Sequence, residues 1–561
     1  MIVFDTEDDS RECLASGKSG FEKQVTQIAA ITDSGKRFHN SGNVKEFMRW
    51  CHRQSTRDLW AFNTQYDIGN LVNSKSYKLP DFDYTLVKGR FIRGSCEGLN
   101  YFDAHNLSGS GSSVGLLGLA VGLPKFGFDY SLKDFSTFPK SERENYKRYS
   151  KMSPDELFRD KNYVFRDCEI PLRWLRFVRE QCESFGIENI PATLGGLCVK
   201  VFSAMGNENW FCDDSVARSG LLGARVELFS GGGRGNLAYT DINSLYPAAM
   251  LENFPDSFSD REKSLTGYGL AEVKIKIPKS QLTPLPMKDN EGRLIFPWGT
   301  IRGVWTLHEI RNAVANGCRV IKVYWSKGSP DGRAYYRDYV LEIYKRRLAS
   351  KNQSENLFFK LLMNNLYGRL AIGGEISRTL NLTDENCDDG IPFGRKILSD
   401  VQMPLPGFTN YLHAAYVLSY ARIKLYNYLK LIDSKNLVYC DTDSSIFFNR
   451  GDKLPFPVSK NLGEMKLEKF GKLAIPYAPK MYRFDDDYKA KGVPKRLAKE
   501  FIETGSAEFD LPFKLRESII FYDRDNIRKL SVWRNVKKIR QSKYDRKFVS
   551  GNYFLPKRVE M

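Results

Sequence analysis

No two of the ten cysteines form a CxxC pair or fall at a regular spacing, which argues against a zinc site or a disulfide framework. Scattered from Cys13 to Cys440, they read as buried thiols of a reducing compartment. Long apolar runs are missing too: none approaches the ~18 residues needed to cross a bilayer. The opening MIVFDTEDDS turns acidic after four residues and lacks the basic, apolar and small-residue succession of a signal peptide. Together these absences point to a soluble cytoplasmic chain with no membrane partner. Internal repeats and low-complexity tracts are also lacking. With 561 residues, too many for one core, three or four domains are expected.

What the chain has in excess is positive charge. Lys and Arg outnumber Asp and Glu by 85 to 67, a net +18, and such an excess favours a polyanionic partner, either nucleic acid or an anionic membrane. Alternating segments MIVFD, QVTQIAAIT and GLAEVKIKI (269–277) read as strands. In 336–370, two segments of helical spacing flank the polar break KNQSEN and predict a helical hairpin. Gly-rich stretches at 108–113 and 230–235 read as turns or joints. From Asn526 to Lys547, nine Lys/Arg interleave with Trp533 and Tyr544, either a solvated helix face or a clamp on a nucleic-acid backbone.

The segment LVYCDTDSSI (437–446) ends an apolar strand in Asp441 and Asp443. Residues i and i+2 of an extended chain share a face, and two like charges held together call for a cation. An all-oxygen site of this kind suits Mg²⁺ joined by substrate phosphates. For an isolated DxD an Asp-rich surface turn is the commoner meaning, but AYTDINSLYPAAM (238–250) brings a third carboxylate, Asp241, from a second apolar approach, with a helix start after it. Were Asp241 to meet Asp443, a metal pair could serve in-line transfer of a nucleotide to a 3′-hydroxyl. KLLMNNLYG sets Lys360, Asn364 and Tyr367 on one helix face, the lysine for phosphates and the ring for a nascent base pair.

DINSLYP, KLLMNNLYG and YCDTDS, in this order, resemble the three polymerase motifs of family B DNA polymerases, DxxSLYP, KxxxNSxYG and YxDTDS. The second departs at Asn365, where the family has Ser. The resemblance implies that Asp241 and Asp443 are the principal metal ligands, that Asp441 supports them, and that Tyr246, with Leu245 beside it, walls the nucleotide sugar against ribonucleotides. KMY (480–482) is similar to the KxY motif that holds a primer end, through Lys480 and Tyr482, and KAKGVPK (489–495) to the lysine-glycine segment after it, with Lys491.

Upstream, VFDTED puts Asp5 and Glu7 on one strand face, FNTQYD offers Asn63, Tyr66 and Asp67, and YVFRD sets Tyr163 and Asp167 at i, i+4. Each alone is a trivial pattern, DxE being common at capped strand ends. Four carboxylates can bind two metals, with water as nucleophile and Tyr163 to orient it. The order resembles the 3′–5′ exonuclease motifs of the same family, with Asn63 and Tyr66 as DNA contacts. Lys125 looks like a lysine that steadies the scissile phosphate; a surface lysine is the plain alternative.

The resemblance implies an α/β multidomain fold: an RNase H-like exonuclease (1–190), then a right-hand polymerase with palm (191–260 and 409–505), fingers (341–370), thumb (506–561) and two insertions (261–340 and 371–408). The first carboxylate at residue 5 and the two insertions are similar to the protein-primed polymerases of bacteriophages and linear plasmids. LFSGGG (228–233) resembles their YxGG joint, with Phe229 for Tyr and Gly231 and Gly232 as DNA contacts. Expected cofactors are two Mg²⁺ per site, with Mn²⁺ as a substitute. Expected partners are primer-template DNA, dNTPs and a terminal protein as primer, for a monomer in a bacterial host cytoplasm. Lys537, Lys538 and Arg540 are expected on thumb phosphates, and the loop-like span 371–408 as a hairpin closing a ring over DNA. A primer-independent polymerase-primase, a nuclease without synthesis and a decayed nucleic-acid-binding protein are the alternatives.

Overall fold

A computed structural model describes residues 1–8, 25–72, 82–109, 111–373, 375–381, 391–393, 396–451, 453–512, 533–540 and 544–561. Three sheets organise them. In the first, the order runs Arg37–Asn40, Val25–Thr32, Ile2–Asp8, Asp58–Ala61 and Leu99–Asp103. The first three strands are antiparallel, and the next two join them in parallel. Alternation decides the faces: Ile2 and Phe4 enter one core with Phe47 and Tyr101, while Val3 enters another with the helix Lys161–Ser184. Trp174 of that helix is fully buried in the second of these cores.

This sheet does not stop at the amino-terminal unit. After Arg90–Cys96 and Asp83–Val87 it accepts Glu375–Asn381, Lys396–Gln402 and Ile391–Phe393, making ten strands. Ser377 pairs with Leu86 and Arg378 with Thr85. The described parts of the span 371–408, expected as a hairpin-like insertion, are therefore mostly strand, and they pair across the domain boundary drawn at 190. Its polar composition concealed this because backbone pairing to an open edge asks little of the side chains. Residues 374, 382–390 and 394–395 of it lie outside the described residues.

The second sheet orders Ser259–Asp260, Arg319–Ser329, Tyr268–Ile277, Trp298–Thr306 and Arg558–Glu560, with helix Leu307–Ala315 packed on its strands. Its last strand comes from the far end of the chain, in parallel with Trp298–Thr306. The central sheet orders Asp487–Ala490, Met481–Phe484, Met465–Ala478, Gly233–Ile242, Ser444–Phe448, Leu437–Asp441 and Val226–Leu228. Helix Tyr411–Leu429 contributes Ala421 and Leu425 to a core shared with Ala238, Ile242 and Phe447 of this sheet.

The expected helical hairpin is present as Arg337–Leu348 and Gln353–Leu370, the second capped by Asn352, whose side chain accepts the Glu355 N–H. The basic carboxy-terminal stretch, read as a possible helix face, is instead a strand, Trp533–Ile539, antiparallel to Ser506–Pro512. Residues 526–532 and 541–543 of it lie outside the described residues. Among the described residues no helix is long and apolar enough to cross a membrane.

Candidate functional site

Strand Gly233–Ile242 delivers Asp241 opposite Ser444, beside Asp443. The Ile242 N–H donates to the Asp443 carbonyl at 2.7 Å, locking the strand ends together. Asp441 and Asp443 do not share an extended face as the sequence suggested. Between them Thr442 has φ +62°, and the Asp443 N–H donates to the Asp441 carbonyl at 2.7 Å, a tight turn rare for a β-branched residue. The Thr442 N–H donates to the Arg225 carbonyl at 2.8 Å, which holds the turn. Asp443 thus faces a cavity of about 560 Å³ with Asp241. Asp441 instead accepts from the Lys480 ammonium at 2.5 Å and the Tyr439 hydroxyl at 3.2 Å.

Burial, then the charge of Asp241, pushes the Asp443 carboxyl up to about 7. Burial also raises Asp241, against the pull of Lys466 3.4 Å away. Two like-charged carboxyls so strained fit a divalent cation between them. Lys360 and Asn364 line the same cavity from helix Gln353–Leu370, with Leu245 and Tyr246 opposite. Tyr367 stacks on Tyr246 at 4.6 Å and 24°, worth about 1 kcal/mol and fixing the ring over the cavity. Arg347, Lys460 and Lys466 complete a cationic wall that sequence reading missed. Arg347 sits in the basic run KRR just before the hairpin break, the one signal available; the two lysines converge only on folding.

Tyr482 bonds Tyr239 hydroxyl to hydroxyl at 3.2 Å, across the intervening strand Met465–Ala478, which ties the KMY strand to the strand of Asp241. Lys491 is exposed. Lys538 donates to the carbonyls of Lys491 and Gly492, and Arg540 to that of Ile502, while exposed Lys537 pairs with Glu508 at 3.1 Å. The Gly231 N–H donates to the Asn552 carbonyl at 2.7 Å. Gly232 has φ +74°, and a Cβ there would lie 1.9 Å from the Ala474 carbonyl, so only glycine fits. Phe229, buried, meets the Lys547 ammonium over its ring at 4.0 Å.

The second centre lies on the first sheet. Ligand oxygens of Asp5, Glu7 and Asp167 fall within 4.8 Å of one another. Asp67 accepts the Thr6 N–H at 3.0 Å through Oδ1, and its buried Oδ2 has no hydrogen-bond partner. Burial and then the neighbouring carboxylates hold Asp5 well above the usual carboxyl range, and burial raises Asp67 and Asp167. An orphaned buried oxygen beside three convergent carboxylates again fits a divalent cation. Burial pulls the Lys125 ammonium down, but Asp167, which it contacts, outweighs this and holds it above its usual value. The ammonium also lies 4.7 Å from the Tyr163 ring, so Lys125 is built into this centre and is not a free surface lysine. The Tyr66 hydroxyl donates to Asp8 at 2.9 Å. Asn63, at φ +72°, donates its N–H to Asp103 Oδ1 at 2.9 Å. Asp103, pushed by burial up to about 6, went unnoticed; its signal is another apolar strand ending in Asp, NYFD.

Residues 130–392 match the family of type B DNA polymerases, organellar and viral. A probable DNA polymerase of Neurospora intermedia is 25% identical over 411 residues, 62% of this chain and 41% of the relative. One of Podospora anserina is 31% identical over 163 residues, 28% of this chain and 13% of the relative. The chain thus spans less than half the length of these curated relatives. Among solved structures, Phi29 DNA polymerase with primer-template DNA and incoming nucleotides superposes with a TM-score of 0.67 at 15% identity, over 96% of this chain and 99% of that one. Its binary complex with primer-template DNA gives 0.67 at 14%, over 96% and 100%. The α/β fold is that of the Phi29 enzyme.

Proposed function

We propose that the chain is a DNA-directed DNA polymerase with its own 3′–5′ exonuclease, of the protein-primed type. The observation that carries this is the cavity where Asp241 and Asp443 face Lys360, Arg347, Lys460 and Lys466: paired carboxylates against a cationic wall suit a 3′-hydroxyl and a nucleoside triphosphate. Mg²⁺ or Mn²⁺ held there by Asp241 and Asp443, and in the other centre by Asp5, Glu7, Asp67 and Asp167, would supply Lewis acidity for displacement at phosphorus.

The 3′-oxygen attacks the α-phosphorus and pyrophosphate leaves, its charge met by the four cations. Tyr246, held by Tyr367, fills the space under the sugar where a 2′-hydroxyl would sit. Lys480, paired with Asp441 beside Tyr482, holds the primer end. In the other centre water, oriented by Tyr163, attacks the terminal phosphodiester while Lys125 meets the scissile phosphate; the bond from phosphorus to the penultimate 3′-oxygen breaks, that oxygen takes up a proton as the new 3′-hydroxyl, and a nucleoside 5′-monophosphate leaves. The strand order of the first sheet supports an RNase H-like reading of that unit. The central sheet, helical hairpin and carboxy-terminal strands support palm, fingers and thumb. Segments 261–340 and 371–408 are read as insertions that contact a terminal protein and enclose DNA, the latter driving strand displacement.

The test is a 5′-labelled primer on a template: lengthening with dNTPs and shortening without them. An intact chain that does neither refutes the reading. On a small single-stranded circle, products many laps long are expected; arrest after one lap refutes strand displacement alone.

A further inference from the structure

Three buried charges lie outside both carboxylate centres. Arg225, Glu227 and Lys547, two cations around one carboxylate, are each at most 5% exposed. The Arg225 guanidinium lies 2.5 Å from Glu227 Oε2, and the Lys547 ammonium 2.9 Å from Oε1. Neither Glu227 nor Lys547 lines the cavity of Asp241 and Asp443. A buried ion pair is weak evidence for stability, because desolvation offsets most of its attraction; its best-attested use is to fix register.

The register at stake is that of Val226–Leu228, a strand of three residues at the edge of the central sheet. It pairs Val226 with Asp441, Glu227 with Cys440 and Leu228 with Tyr439. So short an edge strand has little pairing of its own to hold it. Yet the carbonyl just before it, that of Arg225, accepts the Thr442 N–H at 2.8 Å and supports the turn that separates Asp443 from Asp441. A threonine at φ +62° persists only where its surroundings over-determine it. The buried side chains supply that constraint. Arg225 and Glu227, two apart, share a strand face. The Arg225 guanidinium also donates to the Thr283 carbonyl at 2.9 Å and lies over the Phe296 ring at 4.1 Å. Glu227 is tied to the other end of the chain, since Lys547 opens the hairpin of Lys547–Ser550 with Tyr553–Pro556. The same hairpin closes on the strand's exit, where the Phe554 N–H donates to the Phe229 carbonyl at 2.9 Å.

We infer that Lys547 and Glu227 are positioning residues for nucleotide addition: acting through Arg225, they hold the turn at Thr442 and thereby keep Asp443 opposite Asp241. This rests on the polymerase reading and adds to it a dependence of the metal carboxylates on the carboxy-terminal hairpin. K547M is the first test, because it leaves Arg225 and Glu227 as a neutral buried pair and removes only the tie to the hairpin. Hydrogen–deuterium exchange of K547M should be about tenfold faster in peptides covering 437–446 and unchanged in those covering 161–184. Its kcat for primer extension should fall about tenfold, with the KM for dNTPs unchanged, since misplaced carboxylates slow the step without altering the cationic wall. E227Q, which leaves two cations facing each other, should exceed K547M in both readouts, whereas K547R, which keeps the ion pair, should stay close to the intact chain. Exchange at 437–446 that is unchanged in K547M overturns the inference, as does faster exchange beside an intact kcat. A rise of equal size in 161–184 also overturns it, because the three charges then serve general stability. Exchange needs neither DNA nor catalysis. An intact chain that extends no primer would therefore count against the polymerase reading, while exchange at 437–446 still decides whether these residues hold the turn.

Discussion

The two carboxylate centres solve one electrostatic problem in opposite ways. In the amino-terminal centre the compensating cation is internal: the Lys125 ammonium contacts Asp167, whose side chain is only 8% exposed. In the central one, Asp241 is 23% exposed, and the cations stand around an open cavity; among the described residues only Lys466 of the four pairs with carboxylates, Asp241 at 3.4 Å and Glu468 at 2.6 Å. On the proposed function, a centre that admits one strand end and a water can be closed, whereas one that takes a triphosphate with each cycle needs its positive charge on the walls, where phosphate can meet it.

Exchanging the damage tests whether the centres are independent. Asp443→Asn is expected to cut nucleotide addition by about 10²–10³-fold or more and to spare degradation of single-stranded DNA, with Asp5→Ala/Glu7→Ala doing the reverse. Both activities falling together in either variant would break the comparison. Removing the internal cation sharpens it. Lys125→Met should lower degradation by about 10²-fold and move its pH profile upward, because Asp167 loses the charge that favours its ionised form; Lys466→Met, one cation of four, should cost synthesis about tenfold, with an upward shift of its own because Asp241 loses the pull of Lys466.

Tyr246→Val should raise ribonucleotide use relative to deoxyribonucleotide by about 10–100-fold, read as a ratio of kcat/KM values. The smallest effect is on stability. Asp443 titrates at about 7 in the fold against about 3.9 unfolded, so its contribution is full below about pH 4 and lost as pH rises to about 7. Mg²⁺ should therefore raise Tm more at about pH 8 than at about pH 6. Equal increments would mean that metal does not relieve this pair.

Strand ends that bring carboxylates together were legible because an apolar run closing on Asp is locally unusual, as at Asp5, at Asp241 and at Asp441 with Asp443 two residues on. Helix 353–370 was legible from period alone, with Lys360, Asn364 and Tyr367 on one face. The divergence of Asp441 from Asp443 was not, since it depends on one dihedral at Thr442 held by a carbonyl of a distant strand. Nor was the cationic wall, whose members come from three separate elements. The strand Trp533–Ile539 hid behind its charge, because a sequence dense in Lys and Arg leaves little apolar alternation to read.

The ten-stranded sheet also sets a schedule for synthesis. Asp83–Val87 finds its partner about 290 residues later, so at about 5–20 residues per second a ribosome leaves that edge unpaired for roughly 15–60 s. Through that interval a nascent amino-terminal unit presents open backbone donors and acceptors to any passing strand. Yield in a cell should accordingly depend on translation speed and on chaperones that shield the edge, more than the finished protein's packing would suggest.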